Sequence, residues 1–512
     1  MTAAESVEPD GISRALVGRV VLAALIALGT SLVSEIAPTA IAIPASFAIG
    51  GLLAWSRRLR PAELISAFIG ASIVSESGLV PNAGRNDAPF VVAVPLLYEA
   101  YLRGWLDPRR LSRAQVVIGV AALAYVAFNA AAALHLVLRL HPYSAYLTGT
   151  IVLGLLLGII VLPRLAGDAG ARRLIVLTFA AAGPGLVLIE LLLALTGPLK
   201  WFNGYIGSWV WVELTALGHP TGIVFAENTG PFHQPAGAST VLAISGIALV
   251  AIWSSLSRRG RLWAASALTV VSWALLVTLN RDGWLIAASG GLLVAGWTVV
   301  RRRPELASLA FGTLFLVVLG GVALNVIGAN TRPDVTTRQN GPTVAATIPG
   351  SDDQAPVQVR GGSSLTGRED LWSASIEAIR QRPLLGWGPG EDQRVIGPLL
   401  PADAKRLVGY TSDSVYLRTA VETGLLGLAG LLLFCGAVLV LVAARLRRDR
   451  TTGVDATTLF AAAAFPALLV GGIFETYLLG GLTFPSFLLA LLPGLALVAA
   501  RLPGASGASA IT

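Results

Sequence analysis

"LLGLAGLLLFCGAVLVLVAARLRRDR", residues 425–450, settles the class of this chain. Twenty residues pass without a charge, enough for one α-helix to cross the ~30 Å hydrocarbon layer. The run then ends in four arginines within six residues. Similar runs recur along most of the 512 residues, of which 54% are hydrophobic and 13% charged, with a mean hydropathy of +0.72. About a quarter of the residues of a soluble domain are charged. The runs are continuous and do not alternate in polarity, which excludes a β-barrel. The expected fold is an all-α polytopic membrane protein of about 14 transmembrane helices (range 12–14), with a long exoplasmic loop containing an amphipathic helix. Spans are expected near 15–34, 38–55, 62–80, 88–106, 114–134, 146–163, 174–197, 238–256, 262–279, 284–300, 305–328, 424–444, 456–473 and 482–500.

The net charge of +8 does not point to nucleic acid, because the basic residues sit in short loops between apolar runs. With the N-terminus inside, "SRRLR", "DPRRLSR", "PRLAGDAGARR", "SRRGR", "RRRPE", "RLRRDR" and Arg501 put twenty arginines on the cytoplasmic side. The short outer connections hold four basic residues, Arg85, Arg139, Lys200 and Arg281. That bias fixes the expected orientation, with both termini cytoplasmic. The N-terminal tail, "MTAAESVEPDGISR", lacks a signal-peptide pattern. A single cysteine, Cys435, and four scattered histidines give no disulfide framework and no zinc-site spacing. Neither metal nor cofactor is expected.

The expected organisation is therefore seven N-terminal helices in 1–197, an outer loop at 198–237, and helices 8–11 in 238–328. A long outer loop at 329–423 and helices 12–14 in 424–512 complete it. Residues 331–364 have few large apolar side chains and read as a flexible arm. Then comes "GREDLWSASIEAIRQRPLLGWGPG", 367–390, with three arginines, two glutamates and an aspartate. Thr366 and Glu369 have capping-box spacing. Leu371, Trp372, Ile376 and Ile379 form an apolar stripe at helical spacing, and Pro383 ends the helix. Such a helix lies on the bilayer surface or over the bundle, with Trp372 and Trp387 at interfacial depth. Gly386, Gly388 and Gly390, with Pro389, predict tight turns. Long loops translocate regardless of charge, so these arginines are not needed for topology and become candidates for chemistry.

That stretch, followed by "SDSVYLRTAVETGLLGLAG", resembles the signature of the O-antigen ligase/polymerase superfamily, membrane glycosyltransferases of the GT-C type. "ENTGPFHQPAGASTVLAIS" and "TLNRDGWLIAASGGLLVA" are similar to two further segments of that family, so the likeness covers roughly residues 225–435. The resemblance implies a donor glycan carried on polyprenyl diphosphate, an acceptor that is a glycan or an anchor, and a membrane-lipid environment. A chain-length regulator is a candidate partner. An acceptor hydroxyl attacks the anomeric carbon and the lipid diphosphate leaves. Arginine suits that leaving group, because its planar fork binds phosphate oxygens bidentately and stays charged.

Arg281 and Arg368 match the family's two diphosphate-facing arginines. Arg281 otherwise reads as an interfacial anchor, paired with Asp282. Arg368 stands in the first turn of a helix, where the macrodipole disfavours a cation. Arg382 is a further diphosphate candidate, although with Arg380 it stands at a helix C-terminus, where positive charge is favoured anyway. Ligases of the family carry a histidine where this chain has Asp413. Asp413 could accept the acceptor's proton, or Ser412 or Asp413 could cap the helix that follows. The missing histidine tilts the reading from ligase toward polymerase, and His233 could serve the acceptor side instead. Glu422 and Gly424 read as helix-start and close-packing residues. Glu99 and Arg103 can pair four residues apart, while Glu190 has no evident partner. A lipid-linked sugar transporter is the rival from another class, but its polar residues would gather at mid-membrane, and here they gather at the outer surface.

Overall fold

The computed structural model describes residues 14–36, 60–75, 88–137, 142–167, 169–196, 280–300, 312, 327–331, 359–360, 368–448, 455–476 and 484–498. Between 199 and 278 it describes all but 202–203, 207–208, 217–218, 229–231 and 233–234. The span expected at 38–55 and nearly all of that at 305–328 lie outside these residues, as do most of the 331–364 arm and His233.

The chain is a polytopic helical membrane protein. Its helices run in order α1 (Arg14–Ile36), α2 (Pro61–Ser75), α3 (Ala88–Leu102), α4 (Arg113–Val137) and α5 (Pro142–Leu156). A π-helical turn, Leu157–Val161, joins α5 to α6 (Leu162–Leu165). Next come α7 (Ala169–Thr196), α8 (Pro235–Ile252), α9 (Arg258–Val277) and α10 (Arg281–Val300). After the long connection stand α11 (Arg368–Gln381), α12 (Asp392–Leu399), α13 (Val415–Arg448), α14 (Ala456–Gly471) and α15 (Phe484–Val498). Each expected span within the described residues is met by one of these helices, α5 and α6 sharing one. Among the described residues, six segments can cross a membrane by length and composition, with five shorter apolar helices beside them.

Two connections add strands that the helical class does not predict. A hairpin of β3 (Trp209–Ala216) and β4 (His219–Asn228) pairs through β3 with β5 (Ile327–Thr331), and β5 pairs with β6 (Val359–Arg360). All pairings are antiparallel, and a shorter ribbon joins β1 (Leu199–Trp201) to β2 (Gly204–Ile206). The sheet ties the 198–237 loop to the start and middle of the 329–423 loop.

α8 is the hub. Its sequence, "PAGASTVLAISGIALVAI", is small or apolar on every side, so it is buried all round, packed against α7, α9, α10 and α14. By contrast α9 turns Trp263 and Trp273 outward, 77% and 69% exposed, as a lipid-facing helix does. Pro184 leaves the Ala180 carbonyl of α7 without its helical donor. The Ser245 hydroxyl of α8 donates to that carbonyl at 2.9 Å and accepts from Gly183 N–H at 3.0 Å. Glu99 and Arg103 pair at 3.1 Å, as their spacing predicts.

Candidate active site

α13 is broken. At Gly424 the backbone takes φ 71° and ψ −176°, a region essentially reserved for glycine. The break strands carbonyls before it and N–H groups after it, and the "PLLGWG" segment fills them. Trp387 and Gly388 N–H donate to the Val421 and Glu422 carbonyls at 2.9 and 2.7 Å. Leu425 and Leu426 N–H donate to the Pro383 and Leu384 carbonyls at 2.7 and 3.4 Å. A Cβ on Gly424 would overlap the Leu384 carbonyl, and one on Gly386, at φ 64°, would strike the Val421 carbonyl. The turn glycines and the "ETG" glycine are thus two halves of one lock.

The lock sets α11 over the head of α13. The buried face of α11 is Leu371, Ala374, Ser375 and Ala378, joined to Val395, Ile396, Leu400, Ala404, Leu407 and Val421 in a separate apolar cluster. Ile376, expected in the stripe, is 44% exposed. Close approach to α12 and α13 selects the small residues of α11, which displaces the buried face from the one drawn by its large side chains. The Trp387 indole donates to the Ala378 carbonyl at 3.0 Å.

At the opposite end of α11, Arg368 meets three acids from three other segments. Its Nη2 lies 3.3 Å from Asp282 Oδ2 of α10 and 3.4 Å from Glu475 Oε1, just past α14. Its Nε is 4.0 Å from Asp413 Oδ2 and has no hydrogen-bond acceptor among the described residues. The Arg368 side chain is 17% exposed. Asn280 caps α10 by accepting from Asp282 and Gly283 N–H at 3.0 and 3.1 Å. On the other side, Val415 N–H donates to the Gly472 carbonyl at 2.8 Å. The Tyr416 hydroxyl donates to the Leu469 carbonyl at 2.7 Å. Thr411 and Thr476 share a hydroxyl hydrogen bond of 3.2 Å. These ties hold the 472–476 segment, and with it Glu475, against the site.

Asp413 does not cap α13. It takes a positive φ of 46°, accepts from the Thr411 hydroxyl at 3.0 Å and turns its carboxylate toward Arg368. Ser414 supplies the first helical acceptor, for Arg418 N–H at 2.9 Å. Burial pushes the Asp413 carboxyl up from its ordinary range, against the Arg368 charge and the Thr411 hydrogen bond. Glu475 is pushed well up, by burial first, then by the charge of Asp282, a hydrogen bond to it and the charge of Asp413, while Arg368 pulls the other way.

A second polar group stands at the base of the loop. Asp392, 1% exposed, accepts through Oδ2 from Ser412 N–H at 3.1 Å and from the Ser412 hydroxyl at 3.4 Å. Arg418 Nε lies 2.7 Å from Glu422 Oε1 and 3.9 Å from Asp392 Oδ2. Asp392 Oδ1 is buried without a partner among the described residues. Burial, then the Glu422 charge, raises the Asp392 carboxyl to about 7 against the Arg418 charge and the Ser412 hydrogen bonds.

The structure therefore brings Arg368 and Asp413 together. It places Arg281 as the first residue of α10, beside Asp282, although the Arg281 side chain lies outside the described part. Arg382 stands at the far end of α11, with its guanidinium 4.1 Å above the Trp387 ring. Fourteen residues at ~1.5 Å each put it roughly 20 Å from Arg368. Glu475, Asp392 and Arg418 were not singled out from sequence. Arg418 and Glu422 did carry a signal, the i,i+4 spacing of opposite charges. Glu190 is 4% exposed, and its Oε1 has no partner among the described residues. No group of three or more histidine, cysteine or acidic side chains among the described residues is arranged as a metal site.

No curated protein matches the chain. The family model described as O-antigen ligase matches residues 267–432, from α9 into α13, a stretch that includes Asp282, Arg368, Asp392, Asp413 and Arg418 but not Glu475. Over that stretch the chain is similar to the O-antigen ligase family, which supports the resemblance carried by its motifs.

Proposed function

We propose that the chain is a membrane glycosyltransferase that takes a polyprenyl-diphosphate-linked glycan and polymerises a cell-surface polysaccharide on the outer leaflet of a bacterial plasma membrane. One observation carries the reading. Arg368 is largely buried at one end of the bundle, ringed by carboxylates from three other segments, with no acceptor for its Nε–H among the described residues. A guanidinium so held is a preorganised seat for a diphosphate, whose negative charge grows as the glycosidic C–O bond breaks. The arginine bias of the loops supports an exoplasmic position for that end.

In this reading Arg368, with Arg281, holds the diphosphate. An acceptor hydroxyl oxygen attacks the anomeric carbon, and a new C–O bond forms. The bond to the diphosphate breaks, its electron pair leaves with the carrier, and the hydroxyl proton passes to the Asp413 carboxylate, 4.0 Å from Arg368. Asp413 in place of a histidine favours polymerisation. The description of the matched family favours the second reading, a ligase that moves a finished glycan to a lipid or protein anchor. Lipid-linked and surface glycans from a strain lacking the protein, complemented with wild type or Arg368→Ala, test both. Single repeat units without longer chains mean polymerase, and full-length chains stranded on the carrier mean ligase. A normal profile with Arg368→Ala removes the clamp.

A further inference from the structure

Glu475 stands outside the matched stretch, yet it touches the same Arg368 nitrogen as Asp282. We infer that Glu475 is a donor-binding residue that pairs with Arg368 and, as a neutral carboxylic acid, hydrogen-bonds a diphosphate oxygen when the donor binds. The inference rests on the reading that Arg368 holds a diphosphate.

The charges around Glu475 argue for it. Asp282 faces it from α10, Arg368 from α11 and Asp413 from the turn before α13. Beside it on its own segment is Thr476, a neutral hydroxyl bonded to Thr411. Three carboxylates thus converge on one guanidinium in a buried setting, with Asp282 2% exposed. They cannot all be ionised at low cost, because like charges at such range and burial disfavour the charged forms. Asp282 and Glu475 both reach the same Arg368 nitrogen, at 3.3 and 3.4 Å, and because two ionised carboxylates are acceptors only, a proton on one of them relieves the pair. A diphosphate reaching Arg368 adds further negative charge. It is repelled by an ionised Glu475 and accepts an O–H from a neutral one, so donor binding is linked to proton retention at this residue. No bond is made or broken in the step. Glu475 exchanges Arg368 and Asp282 for a phosphate oxygen.

The test is binding of undecaprenyl diphosphate to the full-length protein in detergent from pH 6 to pH 9. It compares wild type, Glu475→Gln, Glu475→Ala and Arg368→Ala. The ligand's own titration is common to all and cancels in the comparison. Relative to Glu475→Gln, whose amide donates a hydrogen bond at every pH, wild type loses affinity with rising pH, up to tenfold per unit. Glu475→Ala binds at least tenfold more weakly than Glu475→Gln throughout. Asp282→Asn supplies a second variant if Glu475→Gln does not fold. It removes a charge that keeps the proton on Glu475, so the loss of affinity begins at lower pH. The inference is overturned if Glu475→Gln follows the wild-type pH slope or binds as weakly as Glu475→Ala. If Arg368→Ala binds as wild type does, the diphosphate reading itself fails. If Arg368→Ala abolishes binding while Glu475→Gln parallels wild type, only the role of Glu475 fails.

Discussion

Gly424→Ala should unseat the loop that carries the site. At φ 71° and ψ −176° an alanine is strained by roughly 1–3 kcal/mol. Its Cβ also overlaps the Leu384 carbonyl, so the 383–388 segment must move. That movement endangers the four backbone hydrogen bonds between this segment and the helix break, each worth about 1 kcal/mol net. Loss of all four brings the sum to about 5–7 kcal/mol, local to the junction of α11 and α13. Two controls divide it. Gly409 has φ 92° but open space around a Cβ, so Gly409→Ala feels the strain without losing the lock. Gly436, inside α13, has neither positive φ nor a neighbour within 4 Å, so its alanine variant is close to neutral. The assay is limited proteolysis of detergent-purified protein, alongside thermal unfolding. Gly424→Ala should be cut between 380 and 390 at protease levels that spare wild type and Gly436→Ala, with Gly409→Ala between them. Wild-type resistance and melting in Gly424→Ala would refute the lock.

Three further outcomes follow from named contacts. Ser245→Ala leaves the Ala180 carbonyl, already without its helical donor, unpaired in the bundle, a loss of about 1–3 kcal/mol, read as a lower melting temperature with the glycan product unchanged. Asp392 is raised to about 7 when folded, so it favours folding fully below its unfolded value near ~4 and loses that contribution as pH rises through about 7. Stability therefore falls by up to ~1.4 kcal/mol per pH unit across that window, and Asp392→Asn should flatten the profile measured by unfolding at pH 4, 5.5 and 7. Asp413→Asn keeps the side chain's size and its hydrogen bond with Thr411 but removes the proposed proton acceptor. Turnover should drop about 10²–10⁴-fold while donor affinity is kept, and a kcat equal to that of wild type would assign the acceptor's proton elsewhere.

The class of the fold was legible in residues such as 425–450, because the bilayer imposes length and apolarity on each segment separately. α13 shows where that reading stops. Its helix begins at Val415, about ten residues before the apolar run, and within that added stretch Arg418 and Glu422 pair at i,i+4. The sheet also had a trace in the sequence, because "WVWVELTALGHPTGIVFAEN" is two strand-like runs around a Gly-His-Pro turn. Within the site, Arg368 and Asp413 were found through motif likeness. Glu475 could not be, since its pairing with Arg368 spans 107 residues of chain and depends on how the end of α14 is tied to Thr411, Val415 and Tyr416. Of the expected apolar stripe on α11, Leu371 is buried and Ile379 packs beside it, while Ile376 turns outward for a related reason. Periodicity marks large side chains, whereas close helix contact selects alanine and serine.

The most direct test of the account uses purified protein, a polyprenyl-diphosphate oligosaccharide and an acceptor glycan. Release of polyprenyl diphosphate is followed together with growth of the glycan. Wild type should yield both in equal amounts, and Arg368→Ala, folded as judged by its melting curve, should lose both by about 10²–10³-fold. Wild-type turnover in Arg368→Ala would contradict the account, because the charge that receives the leaving diphosphate would then lie elsewhere.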